Sequence, residues 1–146
     1  MEVYTIGFTK RSAESFFATL KSHGIRRLID VRLNNVSQLA GFSKRDDLAY
    51  FLREICGAAY EHQPLLAPTQ EMLDGFKRDK KLTWGEYEDR FMALMSSREI
   101  ENNLQRPSFE GPTVLLCSEY KPDRCHRRLV LDYLRSHWGD ITATHL

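Results

Sequence analysis

The sequence predicts a three-layer α/β domain built on a mostly parallel sheet of about five strands, with helices on both faces. Three observations carry this. Short apolar runs alternate along the chain with segments whose apolar residues recur at helical spacing. One run, Val114, Leu115, Leu116 and Cys117, is apolar at every position, as a strand covered on both faces is. A polar loop and then a helical pattern follow it, the order that places chemistry at the carboxyl edge of an α/β sheet.

Taken in order, Val3-Tyr4-Thr5-Ile6 is a β-prone run closed by Gly7. Ser12 reads as the N-cap of a helix that turns Phe16, Phe17 and Leu20 inward and stops at Gly24. Leu28-Ile29-Asp30-Val31-Arg32 reads as the second strand, and the 33–43 segment after it as a long loop. Ser43 is the expected cap of a helix carrying Leu48, Phe51, Leu52 and Ile55 on one face, ended by Gly57. Ala59-Tyr60-Glu61-His62 gives a third strand, and Pro64 and Pro68 bracket a turn. Residues 69–81 form a weaker helix with Met72, Leu73 and Phe76. Thr83 and Glu86 are spaced as a capping box, opening a helix with Tyr87, Phe91, Leu94 and Met95 inward and ending by Pro107. After the central strand, Pro122-Asp123 is the expected start of the last long helix, whose apolar side is Leu129, Val130, Tyr133 and Leu134. Gly139 caps it, and Ile141-Thr142-Ala143-Thr144 alternates as a final edge strand.

The 146 residues, 42% of them hydrophobic, suffice for one domain spanning 1–146. No run approaches the roughly 20 apolar residues of a membrane span, and no secretion pattern opens the chain, so a cytoplasmic location without a membrane partner is expected. Three cysteines suit reduced thiols better than a disulfide framework. Neither a dinucleotide-binding glycine motif nor a P-loop occurs.

Charge is unevenly spread. Segments 7–12, 30–47 and 117–128, which the topology gathers at one rim, hold nine basic and five acidic residues, a surplus of four in a chain whose total is +1. Arg124, Arg127 and Arg128 crowd the start of the last helix. There the dipole disfavours a cation by about 0.3–1 kcal/mol, and a bound anion would reverse the penalty. Arg127, Arg128 and Arg32 are therefore candidate forks for phosphate or carboxylate oxygens. The plainer alternative is that they pair with Asp30, Asp123 and Glu119. Asp30 and Glu119 are a pair of acids able to hold Mg²⁺ or to act as a general base, or equally to orient Arg32 and Arg127. Cys125, at a helix start among arginines, is the candidate thiolate, and His126 the candidate proton donor. Cys117, ending an apolar run, reads as core. Cys117, Cys125 and His126 offer only three good metal ligands at an unusual spacing, so no metal centre is expected. A Cys-x5-Arg loop is absent, because positions 123 and 131 are Asp and Leu. Tyr60, His62 and Tyr120 are candidate stacking faces for a base or sugar.

Tyr4-Thr5-Ile6-Gly7, Ile29-Asp30-Val31-Arg32, and Leu115-Leu116-Cys117-Ser118-Glu119 leading to Cys125-His126-Arg127-Arg128 together resemble the family called domain of unknown function 488. The resemblance covers nearly the whole chain. It implies a Rossmann-like sheet and places Asp30, Arg32, Cys117, Glu119, Cys125, His126 and Arg127 at the family's matching positions, without implying a reaction. Two departures stand out. Gly7-Phe8-Thr9 replaces the family's usual Gly-His-Ser, and Asn35-Val36-Ser37-Gln38 replaces a Pro-x-Ser-Arg-like turn.

The leading expectation is a small protein that binds a phosphate-bearing ligand, a nucleotide or nucleic-acid end, at the carboxyl rim and hydrolyses it. Asp30, Glu119, Cys125 and His126 are its candidate catalytic residues. Thr9, Arg32, Ser37, Tyr120, Arg127 and Arg128 are its candidate ligand contacts. Two other readings stay open: a non-catalytic nucleic-acid or protein-binding module, and a cysteine-dependent enzyme using Cys125. Substrate, metal dependence and homo-oligomerisation are left undecided by the sequence.

Overall fold

All five strands run parallel, in the order β3-β2-β4-β1-β5. They are β1 (Glu2–Gly7), β2 (Arg27–Asp30), β3 (Ala59–His62), β4 (Thr113–Cys117) and β5 (Thr142–His145). The computed structural model describes residues 1–35, 41–119 and 124–146. Ser37, Tyr120 and the expected helix start at Pro122-Asp123 lie outside the described residues.

β4 occupies the centre of the sheet and all five of its residues are buried. Because successive side chains of a strand point to opposite faces, Val114 and Leu116 join one core while Leu115 and Cys117 join the other. The first core is closed by α1 (Ala13–Ser22) and α2 (Arg45–Phe51), through Phe16, Phe17, Leu20 and Leu48. The second is closed by α4 (Trp84–Ser97) and α6 (His126–Trp138), with the short α3 (Gln70–Leu73) and α5 (Ile100–Asn103) beside them. This is the three-layer arrangement expected of a continuous apolar strand, which needs cover on both sides.

The local signals act as written in the sequence at several ends. The Ser12 side chain accepts from the Ser15 amide at 3.0 Å, and Thr83 and Glu86 form a reciprocal capping box. Elsewhere the fold departs from expectation. Ser43 does not cap α2. It is buried in a 3₁₀ turn (Gly41–Ser43), and Lys44 stands at the N-cap. Ile55 is 42% exposed, because the helix after Phe51 continues as a π-helical turn, Leu52–Cys56, that shifts the face presented inward. The 69–81 segment likewise changes from α3 to a π-helical turn, Asp74–Arg78. The last helix runs from His126 to Trp138, with Cys125 as its N-cap.

No helix among the described residues is long and apolar enough to cross a membrane.

Candidate functional site

Parallel strands bring the carboxyl ends of β1, β2 and β4 to one rim, where Gly7 is the register partner of Cys117. The loop leaving β4 passes directly over β1. A Cβ at Gly7 would lie 1.6 Å from the Glu119 carbonyl oxygen and 2.4 Å from Arg127 Nη1, so no other residue fits without moving that loop. Thr9 ties the same loop down from the other side, donating its hydroxyl and its amide to the Ser118 carbonyl. Arg127 is fully buried and donates from Nη1 to the Glu119 carbonyl at 2.5 Å. Thr9 and Arg127 were expected to meet a ligand. In the structure both hold the backbone of the loop after β4.

Asp30 and Arg32 form a closed structural unit. Asp30 Oδ1 accepts from the Arg32 amide at 3.1 Å and from Nε at 2.8 Å, while Oδ2 accepts from Arg32 Nη2 at 2.8 Å and from the Tyr60 hydroxyl at 2.6 Å. Four donors use the full accepting capacity of a carboxylate. Of the two roles expected of Asp30, the geometry fits the orienting one: it is completely buried and holds Arg32. Arg32 also donates to the Ser43 carbonyl at 2.7 Å and lies over the Phe8 ring at 5.3 Å. Its fork is turned onto Asp30 rather than toward an incoming anion, which was the plainer alternative. Tyr60 and His62 follow suit. The Tyr60 hydroxyl is engaged by Asp30, and the His62 ring is held at 2.9 Å from the Arg32 carbonyl. Arg128 bridges Glu88 and Asp132, each at 3.0 Å, on the outer side of α6.

What remains open at the rim is a cleft of about 260 Å³ between the loop after β4, the start of α6 and the π-helical turn after α3. Its walls carry four basic side chains, Arg32, Lys77, Arg78 and Arg124, against two acids, Asp74 and Glu119. Lys77 contacts the Glu119 carboxylate directly. Burial works against the Lys77 charge, yet the hydrogen bond and attraction from Glu119 outweigh it and raise the ammonium pKa. Glu119, expected to act as base or metal ligand, is thus held by a cation. Arg78 pairs with Asp74 at 3.5 Å and Asp79 at 3.2 Å. Arg124 is exposed at the mouth and makes no ion pair among the described residues.

The floor of the cleft is a buried sulfur and imidazole cluster. Cys117 Sγ lies 3.5 Å from His126 Nδ1, and the other ring nitrogen of His126 lies 2.6 Å from the Val31 carbonyl. Cys125 completes the group, its sulfur within 4.8 Å of both. Burial pushes the Cys117 thiol up, but the Cys125 thiol, the His126 charge and the Glu119 amide together bring it well below the ordinary value. The same burial and the adjacent Cys117 sulfur raise Cys125 well above it. For His126, burial lowers the pKa, and the Cys117 sulfur and the Val31 carbonyl more than reverse that. Cys117, read as core, is indeed packed in the core beneath the cleft, and it, rather than Cys125, is the sulfur whose surroundings favour the thiolate. The period-2 alternation of β4 held the missed signal, since Cys117 falls on the Leu115 face, where α6 packs. Lys77 and Arg78 carried no such signal, since the π-helical turn that presents them lies far from the rim segments in sequence.

No curated protein and no solved structure matches the chain. A family model described as "Domain of unknown function DUF488" matches residues 12–134, from the cap of α1 into the last helix, and so takes in β2, β3, β4, the cleft and its floor. The chain belongs to the DUF488 family.

Proposed function

We propose that the cleft binds a small phosphate-bearing molecule, a nucleotide or nucleic-acid end, in front of Cys117 and His126. The observation that carries this is Arg124. It is an exposed guanidinium at the mouth, without an ion pair among the described residues, in a cleft lined by four basic groups and two acidic ones. Planar guanidinium groups suit phosphate oxygens because two N–H donors can meet two acceptors. Lys77 adds a second positive charge deeper in the cleft, and α6, a 13-residue helix, begins beneath it. Arg32, Arg127 and Thr9 support this site by fixing its walls. The test is isothermal titration of the protein with nucleoside mono-, di- and triphosphates and a short 5′-phosphorylated oligonucleotide. Binding should weaken about 10-fold or more in Arg124→Ala, the scale of one lost charge-assisted contact. Equal affinity in that variant, or no binding across the panel, contradicts the reading.

A second reading is favoured by a different distance. Cys117 Sγ, 3.5 Å from His126 Nδ1 at the end of the central strand, has the arrangement of a nucleophile and its base. The cysteine-dependent enzyme expected at Cys125 would then act through Cys117. Iodoacetamide labelling followed by peptide mapping separates the two: modification at Cys117 ahead of Cys125 supports this reading, and the reverse order opposes it.

A further inference from the structure

We infer that Cys117, Cys125 and His126 form a binding site for one soft transition-metal ion of the zinc class, held by three protein ligands with its fourth position toward the cleft. The three donor atoms lie within 4.8 Å of one another and all three residues are buried. A tetrahedral ion with metal–sulfur and metal–nitrogen bonds of about 2.3 and 2.05 Å needs a sulfur-to-nitrogen edge of about 3.6 Å. The Cys117 Sγ to His126 Nδ1 separation is 3.5 Å. That edge already stands at coordination distance, and the Cys125 sulfur lies within 4.8 Å of both donors.

The tautomer of His126 points the same way. Its Nε2 is 2.6 Å from the Val31 carbonyl, which can only accept, so Nε2 keeps its proton and Nδ1, facing Cys117, is the nitrogen left to bind a metal. A carbonyl behind the imidazole is the usual second partner of a metal-binding histidine, fixing both its orientation and its free lone pair. The sulfurs are similarly prepared: the Glu119 amide points at Cys117 and the Arg127 amide at Cys125. Two thiolates and an imidazole select zinc-like or cuprous ions and discriminate against Mg²⁺, which prefers oxygen. The spacing that looked unsuitable in the sequence is resolved by the fold. The loop after β4 returns Cys125 and His126 to the end of the strand that carries Cys117. No fourth Cys, His, Asp or Glu joins the group among the described residues, and three protein ligands with one open position is the pattern of a reactive rather than a purely structural site.

This inference does not rest on the phosphate reading, because metal uptake is measured without any ligand. The full chain is reduced, freed of metal by a chelator under argon, and titrated with Co²⁺ and with Zn²⁺. Cobalt should give sulfur-to-metal charge-transfer bands and the intense visible bands of tetrahedral coordination, saturating at one ion per chain and displaced by zinc. Cys117→Ser and Cys125→Ser should each abolish the charge-transfer band or reduce affinity at least 100-fold. Cys56→Ser, at the half-buried third cysteine away from the cluster, should leave binding unchanged. Should the serine variants fail to fold, the wild-type cobalt spectrum alone decides. A reduced, folded wild-type protein that shows no thiolate band, or whose band survives in Cys125→Ser, overturns the inference.

Discussion

The Arg32 guanidinium lies against the Asp30 carboxylate with both of its contacts, Nε to Oδ1 and Nη2 to Oδ2, at 2.8 Å, in a pair almost wholly withdrawn from solvent. Removing one partner of such a pair leaves a buried charge without compensation, which costs about 3–5 kcal/mol. Asp30→Ala should therefore lower stability by that amount in urea unfolding. An Asp30→Ala variant that keeps wild-type stability but loses activity would return Asp30 to the catalytic list.

At Gly7 the constraint is space. An added methyl group collides with the Glu119 carbonyl at 1.6 Å, and backbone cannot yield as a flexible side chain can. Gly7→Ala should cost about 1–3 kcal/mol or more, and should also displace the loop after β4. Thermal unfolding checks the first effect, and an altered cobalt spectrum the second.

Tyr60 supplies a dependence on pH. Burial, and then the Asp30 carboxylate that accepts its hydrogen bond, raise the phenol well above its ordinary value. The folded chain thus keeps a proton that the unfolded chain releases above pH of about 10. Its contribution to stability is complete below that pH and declines as pH climbs toward the raised folded value. Thermal midpoints measured between about pH 8 and 11 should fall more steeply for the wild type than for Tyr60→Phe. Tyr87 and Tyr133 are also raised, but are common to both proteins and cancel in the comparison. Parallel curves would contradict the assignment.

The helix opened by Thr83 tests a purely local contribution, since Thr83 itself does not line the cleft although Trp84 and Tyr87 of the same helix do. The Thr83 hydroxyl accepts the Glu86 amide at 3.1 Å while Glu86 returns the bond to the Thr83 amide at 3.1 Å. Thr83→Ala should cost about 0.5–2 kcal/mol in urea unfolding.

The sheet was legible because each strand announces itself locally: β4 by its unbroken apolar run, β1 by the run ending at Gly7, β3 by the stretch that forms Ala59–His62. The family was legible in the blocks around Asp30, Cys117 and Cys125. The contacts of the charged residues were not legible in the same way. Burial decides whether a charged side chain faces a guest or a neighbour, and a linear sequence carries no burial. Arg32 and Asp30, two residues apart, satisfy each other, and Arg127 turns inward to a carbonyl. The π-helical turn that brings Lys77 to Glu119 depends on packing across 42 residues of chain, a contact that no local pattern encodes.

The most direct measurement is a crystal structure of the protein soaked in inorganic pyrophosphate, a probe that carries the shared chemistry of nucleotides and nucleic-acid ends. The account predicts pyrophosphate density in the cleft, bound by Arg124 and within reach of Lys77, with the Asp30–Arg32 pair undisturbed. Density confined to other basic surfaces, or a cleft that stays free of the anion at saturating pyrophosphate, would contradict it.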